Sequence, residues 1–260
     1  MKTYVVTGGA TGIGRATALR LAAPDTAIAV VYSRSADAAR ETVSACERRG
    51  ARALALAADV SNDDACRAAA RAVHDAFGDG LDGLVNNAGV TRFAPAGDLD
   101  AVNADDFLAL YAVNVVGPWQ VTRAFAPMLR AARGAVVNVS SSSAVDGTGS
   151  SPAYAASKAA LDNLTLNLAR ALAPEVRVNA VRPGFVETDW HVRGLGAERF
   201  EAVRRTVAQV TALQATLSPD DVAESIVWLL HQPKATGQHL LVDAGRQLAA
   251  GAVRLVAPPK

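Results

Sequence analysis

The chain has 260 residues, half of them hydrophobic and a fifth charged, with a formal net charge of +1. This length can bury a substantial core in one large domain or two small ones. The near-neutral charge gives no electrostatic basis for binding nucleic acid or an anionic membrane, and no apolar run approaches the roughly 20 residues that span a bilayer.

Neither a targeting segment nor a metal site is predicted. The N-terminus enters an apolar strand without the cationic stretch and cleavage site of a signal peptide. Cys46 and Cys66 lack CxxC spacing, so we interpret them as free structural thiols. His74, His231 and His239 are too scattered in the sequence to ligate a metal. A cytoplasmic protein without a metal ion is therefore expected.

The first predicted strand, residues 3–7, runs directly into a glycine-rich turn, GGATGIG, and an amphipathic helix that ends before Pro24. In this context glycines allow the backbone to approach a pyrophosphate closely, and the helix N-terminus presents N–H groups to the anion. The spacing Gly8-x-x-x-Gly12-x-Gly14 differs from the G-x-G-x-x-G fingerprint. An ordinary glycine-rich turn is the alternative interpretation.

The second predicted strand, residues 27–32, ends at Ser33 and Arg34 before a helix that runs to Arg49. In an NAD site an Asp or Glu at this point binds the ribose 2′-hydroxyl, whereas an Arg accommodates a 2′-phosphate. This strand end carries no acid, and Arg15 follows the last glycine of the turn. The pattern favours NADP(H) over NAD(H), with a solvated surface charge at Arg34 as the alternative.

Strands and helices alternate along the remaining chain, which predicts an α/β fold with one doubly wound parallel sheet flanked by helices. The further strands are predicted at residues 53–58, 81–85, 135–139, 176–181 and 238–242, and residues 249–260 are predicted to form a tail. The turn at 86–89 and the serines at 140–143 each follow a strand. Ligands of such sheets bind outside the carboxyl ends of the strands, so these segments should share one crevice with the glycine turn.

Two of the predicted helical regions are unusual. Residues 104–130 carry more apolar surface than one sheet face needs, and Gly117-Pro118 and Pro127 are expected to kink or divide the region. Residues 189–217 indicate one or two irregular helices, which makes them a candidate for a mobile lid.

The serine run is followed by a helix that carries Tyr154 and Lys158 one turn apart on the same face. A phenol with a pKa of about 10 is a poor acid or base at neutral pH, and a neighbouring ammonium favours the phenolate. The pair is therefore a candidate acid–base unit beside the strand-end hydroxyls. Because Y-x-x-x-K also arises by chance in helices, this motif indicates a catalytic pair only in combination with the other motifs of the chain.

Taken together and in order, four motifs resemble those of the short-chain dehydrogenases/reductases. They are T-G-x-x-x-G-I-G at 7–14, N-N-A-G at 86–89, Y-x-x-x-K at 154–158 and P-G at 183–184. The resemblance extends from residue 7 to about residue 245, and the 3-oxoacyl-(acyl carrier protein) reductases are the most similar type. It implies one Rossmann-type domain over residues 1–260, with a cofactor half at about 1–140, a catalytic and substrate half at about 141–248, and the lid at 189–217.

The resemblance implies a role for each residue that matches a motif. Tyr154 would be the acid/base, Lys158 would lower its pKa and bind the nicotinamide ribose, and Asn114 would hold a water that links Lys158 to solvent. Ser141, with Ser142 as the alternative, would polarise the substrate carbonyl. The implied cofactor contacts are Gly8, Thr11, Gly12, Ile13, Gly14, Arg15, Ser33, Arg34, Asp59, Val60, Asn87, Ala88, Gly89, Tyr154, Lys158, Pro183, Gly184, Val186 and Thr188.

The predicted function is an NADP(H)-dependent oxidoreductase that moves a hydride between nicotinamide and a carbonyl or secondary alcohol, with a 3-oxoacyl thioester or related ketone as one substrate class. Alternatives are a non-catalytic NADP(H)-sensing protein on the same fold, a family member acting on a sugar, steroid or polyketide-type alcohol, or a related epimerase or dehydratase. Residues 189–217 match no specific subgroup, so the substrate stays open. The resemblance also suggests a homotetramer or homodimer built through the helices at 104–130 and 152–171.

Overall fold

Seven parallel β-strands form a single sheet in the computed structural model, which describes residues 1–95 and 97–249. The strands are β1 (Lys2–Thr7), β2 (Thr26–Tyr32), β3 (Arg52–Ala57), β4 (Gly83–Asn86), β5 (Ala135–Val139), β6 (Arg177–Pro183) and β7 (His239–Val242). Their order in the sheet is β3-β2-β1-β4-β5-β6-β7. The direction of winding therefore reverses between β1 and β4, which is where open parallel sheets bind their ligands.

Helices cover both faces of this sheet. They are α1 (Gly12–Leu21), α2 (Ala36–Glu47), α3 (Asp63–Phe77), α4 (Ala104–Tyr111), α5 (Gly117–Ala132), α6 (Ser143–Asp146), α7 (Pro152–Leu172), α8 (Asp189–Leu195), α9 (Ala197–Val210), α10 (Pro219–His231) and α11 (Arg246–Ala249). Polar caps fix several of their starts: Asn62 accepts the N–H of Ala65, and Ser218 forms a reciprocal capping box with Asp221.

Alternate residues of the strands feed two separate hydrophobic cores. Val5 and Val136 belong to the core that lies under α3, α5 and α7, whereas Val6 and Val137 belong to the core under α1, α2 and α10. Since successive side chains of a strand point to opposite faces, this division follows directly from the strand geometry. The predicted doubly wound parallel sheet flanked by helices is confirmed.

The helical region after β4 differs from the prediction in one respect. A single π-helical stretch, Ala112–Val116, joins α4 to α5, and α5 then continues through Pro127 without a break. The expected division near Gly117-Pro118 is therefore present, and no division occurs at Pro127, which lies inside α5. The lid region forms two helices, α8 and α9, and most of the predicted tail, 250–260, lies outside the described residues.

Within residues 1–95 and 97–249, no helix has both the length and the apolar character needed to cross a membrane.

Candidate active site

The glycine turn and the N-N-A-G turn are braced against each other at the carboxyl ends of β1 and β4. Asn87 Nδ2 donates to the carbonyl oxygens of Thr7 and Gly8, at 3.0 and 3.1 Å. A Cβ on Gly14 would overlap the Gly8 carbonyl oxygen and come within 2.5 Å of Asn87 Nδ2, so only glycine fits there. Ala88 joins the same network because its N–H donates to Thr7 Oγ1.

The mouth of the glycine turn opens into a cleft of about 780 Å³ between α1 and the start of α10. Gly12, Arg15 and Thr188 line it. A Cβ on Gly12 would contact the Thr188 methyl group at 3.5 Å, so Thr188 lies directly over the turn. Thr11 precedes α1 and is exposed, whereas Ile13 is partly buried against the core beneath α1. The structure thus brings the start of α1 and the segment after β6 together.

Polar and charged groups cluster at the carboxyl ends of β2 and β3. Ser33 and Arg34 are exposed at the end of β2. Hydrogen bonds from Ser61, together with the nearby charge of Arg34, hold the pKa of the Asp59 carboxyl below its usual value. Whereas Asp59 is exposed, the side chain of Val60 is buried in the core, and its carbonyl oxygen accepts a hydrogen bond from the side-chain amide of Gln120.

Lys158 and Tyr154 lie buried on the inner face of α7, beside the end of β5. Lys158 Nζ donates to the Val139 carbonyl oxygen at 2.9 Å and lies 5.7 Å from the centre of the Tyr154 ring. Burial lowers the pKa of Lys158 to about 8, partly offset by Asp162, so the group is mainly charged at neutral pH.

Burial raises the pKa of Tyr154 to about 12, and a hydrogen bond with Ser141 opposes the rise only in part. The net pKa of this phenol therefore lies above its ordinary value, and the lowering by Lys158 stays a prediction. The ammonium directs a hydrogen bond to Val139, and the desolvation of the phenolate dominates. At neutral pH the phenol carries its proton.

Asn114 lies fully buried in the π-helical stretch and faces the N-N-A-G turn. Its Oδ1 accepts the Val90 N–H at 2.9 Å, and its Nδ2 donates to the Val90 carbonyl and to Ser157 Oγ, both at 3.0 Å. A Cβ on Gly89 would lie 3.4 Å from Asn114 Oδ1 and 3.7 Å from Lys158 Nζ. Asn114, Gly89 and Lys158 therefore share one small space.

The serine run divides its hydroxyls between different tasks. Ser141 Oγ interacts with the Tyr154 phenol and with Ser143, which it contacts at 3.0 Å. Ser140 Oγ instead donates to the Lys158 carbonyl, and the Ser142 N–H donates to Pro183. Of the two alternatives from the sequence, Ser141 is the one whose hydroxyl meets the phenol.

The segment after β6 is anchored before it reaches Thr188. The Gly184 N–H donates to Val242 at 2.8 Å, and a Cβ on Gly184 would come within 2.9 Å of Asp243. Val186 is buried and pairs with Leu217 in an isolated bridge. These contacts fix the Pro183-Gly184 turn against the sheet, so that the following residues pass over the glycine turn.

Asp162 is a member of this region that sequence reasoning missed. It lies one turn beyond Lys158 on the buried face of α7 and forms an ion pair with Arg182, Nε to Oδ2 at 2.7 Å. Its other oxygen, Oδ1, is buried without a hydrogen-bond partner among the described residues, and His239 Nε2 lies 3.8 Å away. The available signal was a carboxylate four residues after Lys158 on an otherwise buried helix face.

Trp190, near the start of α8, covers Tyr154. The two rings meet edge-on, with centroids 5.9 Å apart at 74°. The site thus places a protonated phenol, a hydroxyl and a buried ammonium around one point at the carboxyl edge of the sheet. This arrangement can donate a proton to an oxygen and stabilise the negative charge left behind.

The chain matches a protein-family model described as short chain dehydrogenase over residues 2–196. Among curated proteins, it is 40% identical to one from Streptomyces violaceoruber named for the granaticin polyketide synthase and described as a ketoacyl reductase, over 94% of this chain and 95% of that protein. It is 35% identical to a 3-oxoacyl-[acyl-carrier-protein] reductase of Synechocystis, over 93% and 95%.

Solved structures show the same likeness. A chain from Burkholderia xenovorans, described as a short-chain dehydrogenase/reductase, superposes with a TM-score of 0.88 at 38% identity and covers 95% of this chain and 98% of that one. A xylitol dehydrogenase with bound NAD+ superposes with a TM-score of 0.85 at 29% identity, over 94% and 98%.

Proposed function

The chain belongs to the short-chain dehydrogenase family and is an oxidoreductase acting on CH–OH or carbonyl groups, and we propose that it is an NADPH-dependent ketone reductase with Tyr154 as its proton donor. The observation that carries the proposal is the contact of the buried Tyr154 phenol with Ser141, beside the Lys158 ammonium. These groups lie where a carbonyl oxygen would need both a hydrogen bond and a proton.

The residues present fit a dinucleotide. The glycine turn leaves space that a Cβ would fill, and Gly89 keeps open the space beside Asn114 and Lys158. The backbone N–H groups at the start of α1 would hold the pyrophosphate, and Lys158 would bind the nicotinamide ribose. A bound nicotinamide would supply the hydride.

Side chains of the protein would donate the proton to the substrate and replace it afterwards. Ser141 Oγ donates a hydrogen bond to the carbonyl oxygen and polarises it. The Tyr154 phenol, protonated because burial raises its pKa to about 12, gives its proton to the same oxygen as negative charge develops there. The Lys158 ammonium stabilises the resulting phenolate, and Asn114 positions the polar path that returns a proton to it.

Preference for NADPH is supported by the charges at the end of β2. Arg34 is exposed just after β2, the point in the chain where an Arg would accommodate a 2′-phosphate, and the segment has Ser33 rather than an acid. Replacing Arg34 with Leu should weaken NADPH binding by about 10-fold or more, the loss of a charge-assisted hydrogen bond, and leave NADH binding nearly unchanged. Arg40→Leu removes an exposed Arg of α2 that pairs with Asp37 and is the matched control. Tighter binding of NADH than of NADPH by the wild type would overturn this assignment.

Turnover is tested by following the oxidation of NADPH with a ketone panel that includes a 3-oxoacyl thioester. Tyr154→Phe should lower kcat by about 10²- to 10⁴-fold, the usual contribution of a positioned acid, with NADPH binding retained. Tyr111→Phe removes a hydroxyl that contacts the α7 backbone at Ala156 and serves as the control. Wild-type binding of NADPH without turnover of any ketone would instead favour a nucleotide-sensing protein.

Self-association is supported by apolar side chains exposed along α4, the π-helical stretch and α5. Phe107, Leu108, Val116 and Trp119 are between 36 and 68% exposed, and Leu166 on α7 is 41% exposed. Burial of such a surface against a second copy is favourable. We expect light scattering to show a dimer or tetramer, which Trp119→Glu should dissociate.

A further inference from the structure

Aromatic side chains are concentrated next to Tyr154, in a group that we call the aromatic cluster: Phe93, Phe185, Trp190, His191 and Phe200. The His191 ring lies 4.6 Å from Phe185, 5.9 Å from Trp190 and 6.5 Å from Phe93, and Phe200 lies 5.8 Å from Phe185. The chain has only thirteen Phe, Trp and Tyr residues, six, three and four respectively. None of the side chains in the cluster belongs to the two hydrophobic cores. The aromatic cluster therefore either packs the helices α8 and α9 against the domain or contacts a ligand.

Trp190 provides a planar surface at the proton donor. Its ring meets Tyr154 edge-on and is 36% exposed. A second aromatic ring placed against such a surface gains an offset or edge contact beyond the burial of its area. The position next to the phenol means that a ring attached directly to a ketone would reach Trp190 while its carbonyl reached Tyr154.

His191 presents a hydrogen-bond acceptor from the same cluster. Its Nδ1 lies 3.0 Å from the Val186 carbonyl oxygen, which can only accept, so Nδ1 carries the proton. Burial lowers the pKa of His191, which keeps the ring neutral. Nε2 then has a free lone pair, and in residues 1–95 and 97–249 no group hydrogen-bonds to it. A ligand meeting this nitrogen would donate to it.

We propose, on the basis of the proposed reductase function, that the substrate is a planar aromatic ketone with a hydroxyl group on the ring edge away from the carbonyl. The ring lies against Trp190, and the hydroxyl donates to His191 Nε2. The ketone carbon takes the hydride of NADPH and its oxygen takes the Tyr154 proton, which gives a secondary alcohol and NADP+. The cluster contains no charged side chain, so this part of the substrate is uncharged.

Two pairs of probe ketones separate the two contacts. 6-Hydroxy-1-tetralone and 6-methoxy-1-tetralone have similar electronic effects on the carbonyl, but only the first can donate a hydrogen bond. 1-Tetralone and trans-1-decalone differ in whether the ring is aromatic. The wild type should prefer the hydroxy over the methoxy ketone by about 2- to 12-fold in kcat/KM, the range of one neutral hydrogen bond. Conjugation with the ring makes the carbonyl of 1-tetralone less electrophilic than that of the decalone, so the informative quantity for this pair is the change of the kcat/KM ratio when Trp190 is replaced.

Each variant should remove one preference. His191→Phe keeps an aromatic ring and should bring the hydroxy-to-methoxy ratio to about one, whereas His191→Gln, which retains an acceptor, should keep part of it. Trp190→Leu should lower the ratio of kcat/KM for 1-tetralone to kcat/KM for the decalone by about 2- to 12-fold. Trp228→Leu, an exposed Trp on α10 in contact with neither group, should change neither ratio. Thermal melting of every variant establishes that it is folded.

Equilibrium binding of the same ketones to the NADP+ complex, by quenching of tryptophan fluorescence, separates this inference from the proposed function. Selective binding of the hydroxy ketone without turnover by the NADPH complex supports the aromatic site and overturns the reductase assignment. Equal efficiency with the hydroxy and methoxy ketones, a hydroxy-to-methoxy ratio unchanged in both His191 variants, or a 1-tetralone-to-decalone ratio unchanged in Trp190→Leu overturns the aromatic site alone.

Discussion

Replacing Asp162 with Asn should lower the pH at which Lys158 loses its charge. Asp162 is buried one helical turn from Lys158, and its negative charge opposes the fall in the pKa of the lysine that burial causes. Asn keeps the size of the side chain and an acceptor oxygen for Arg182 but carries no charge. The ammonium of the variant therefore loses its nearest counter-charge on α7.

The size of the effect follows from the spacing on the helix. Side chains four residues apart lie about 6 Å from each other, and two unit charges at that distance interact by about 3 kcal/mol at an effective dielectric constant of about 20. Arg182, 2.7 Å from the carboxylate, offsets much of this. If only ~1 kcal/mol is left, the ratio of charged to neutral lysine falls about fivefold. A pKa of about 8 gives a ratio of about 10 to 1 at pH 7, so the variant would have about 2 to 1.

The assay is the dissociation constant of NADPH measured from pH 6 to 9, together with the pH profile of kcat/KM. In Asp162→Asn the alkaline limb of both profiles should move to lower pH, whereas the acid limb should be the same as in the wild type. Arg182→Gln removes the positive charge that shields Asp162 from Lys158 and should not move the limb in that direction. His239 lies 3.8 Å from the same carboxylate, and His239→Gln serves as a control for its contribution. Superimposable profiles for wild type and Asp162→Asn would refute the reasoning.

Three further outcomes are expected. Gly14→Ala should destabilise the protein by about 1–3 kcal/mol in chemical unfolding, because the new methyl overlaps the Gly8 carbonyl; wild-type stability would show that the turn can relax. Gly89→Ala should have the stability of the wild type, because its Cβ enters the space between Asn114 and Lys158 without a clash. It should bind NADPH more weakly because that space is then filled, and isothermal titration at equal folded fraction measures the NADPH affinity. Burial lowers the pKa of Lys158 from 10.5 to about 8. Burying the charged lysine therefore lowers the free energy of unfolding by the full amount below pH 8, and this loss disappears as the pH rises to about 10.5. Lys158→Met should therefore raise Tm relative to wild type most at pH 7, and a difference independent of pH would contradict the assignment.

Much of the fold could be predicted because its determinants are local. The strand and helix starts follow from apolar runs, glycines and caps such as Ser218, and β5 begins and ends at the predicted residues. The resemblance to the family likewise predicted that Asn114, Ser141, Tyr154 and Lys158 lie in one region. Motif order carries this information because parallel strands deliver their loops to one edge of the sheet.

The features that could not be predicted from the sequence all depend on burial or on contacts between distant segments. The pKa of Tyr154 rises because the phenol is desolvated, and no local pattern reports that. Asp162 resembles any polar residue of an amphipathic helix until Arg182, twenty residues later, is seen to pair with it. The interaction of Trp190 with Tyr154 depends on where α8 lies relative to α7, and the two residues are far apart in the sequence.

The π-helical stretch at Ala112–Val116 sets the rotational phase between α4 and α5. A π turn holds one residue more than an α turn, and each residue of an α-helix advances its side chain by about 100°. Deleting one residue here would restore a regular helix and rotate one half against the other, so that Asn114 could not face Val90 while Trp119 kept its place. We therefore expect this segment to accept substitutions on its outer face but not a change of length. Chimaeras with related reductases should accordingly be joined outside residues 104–132.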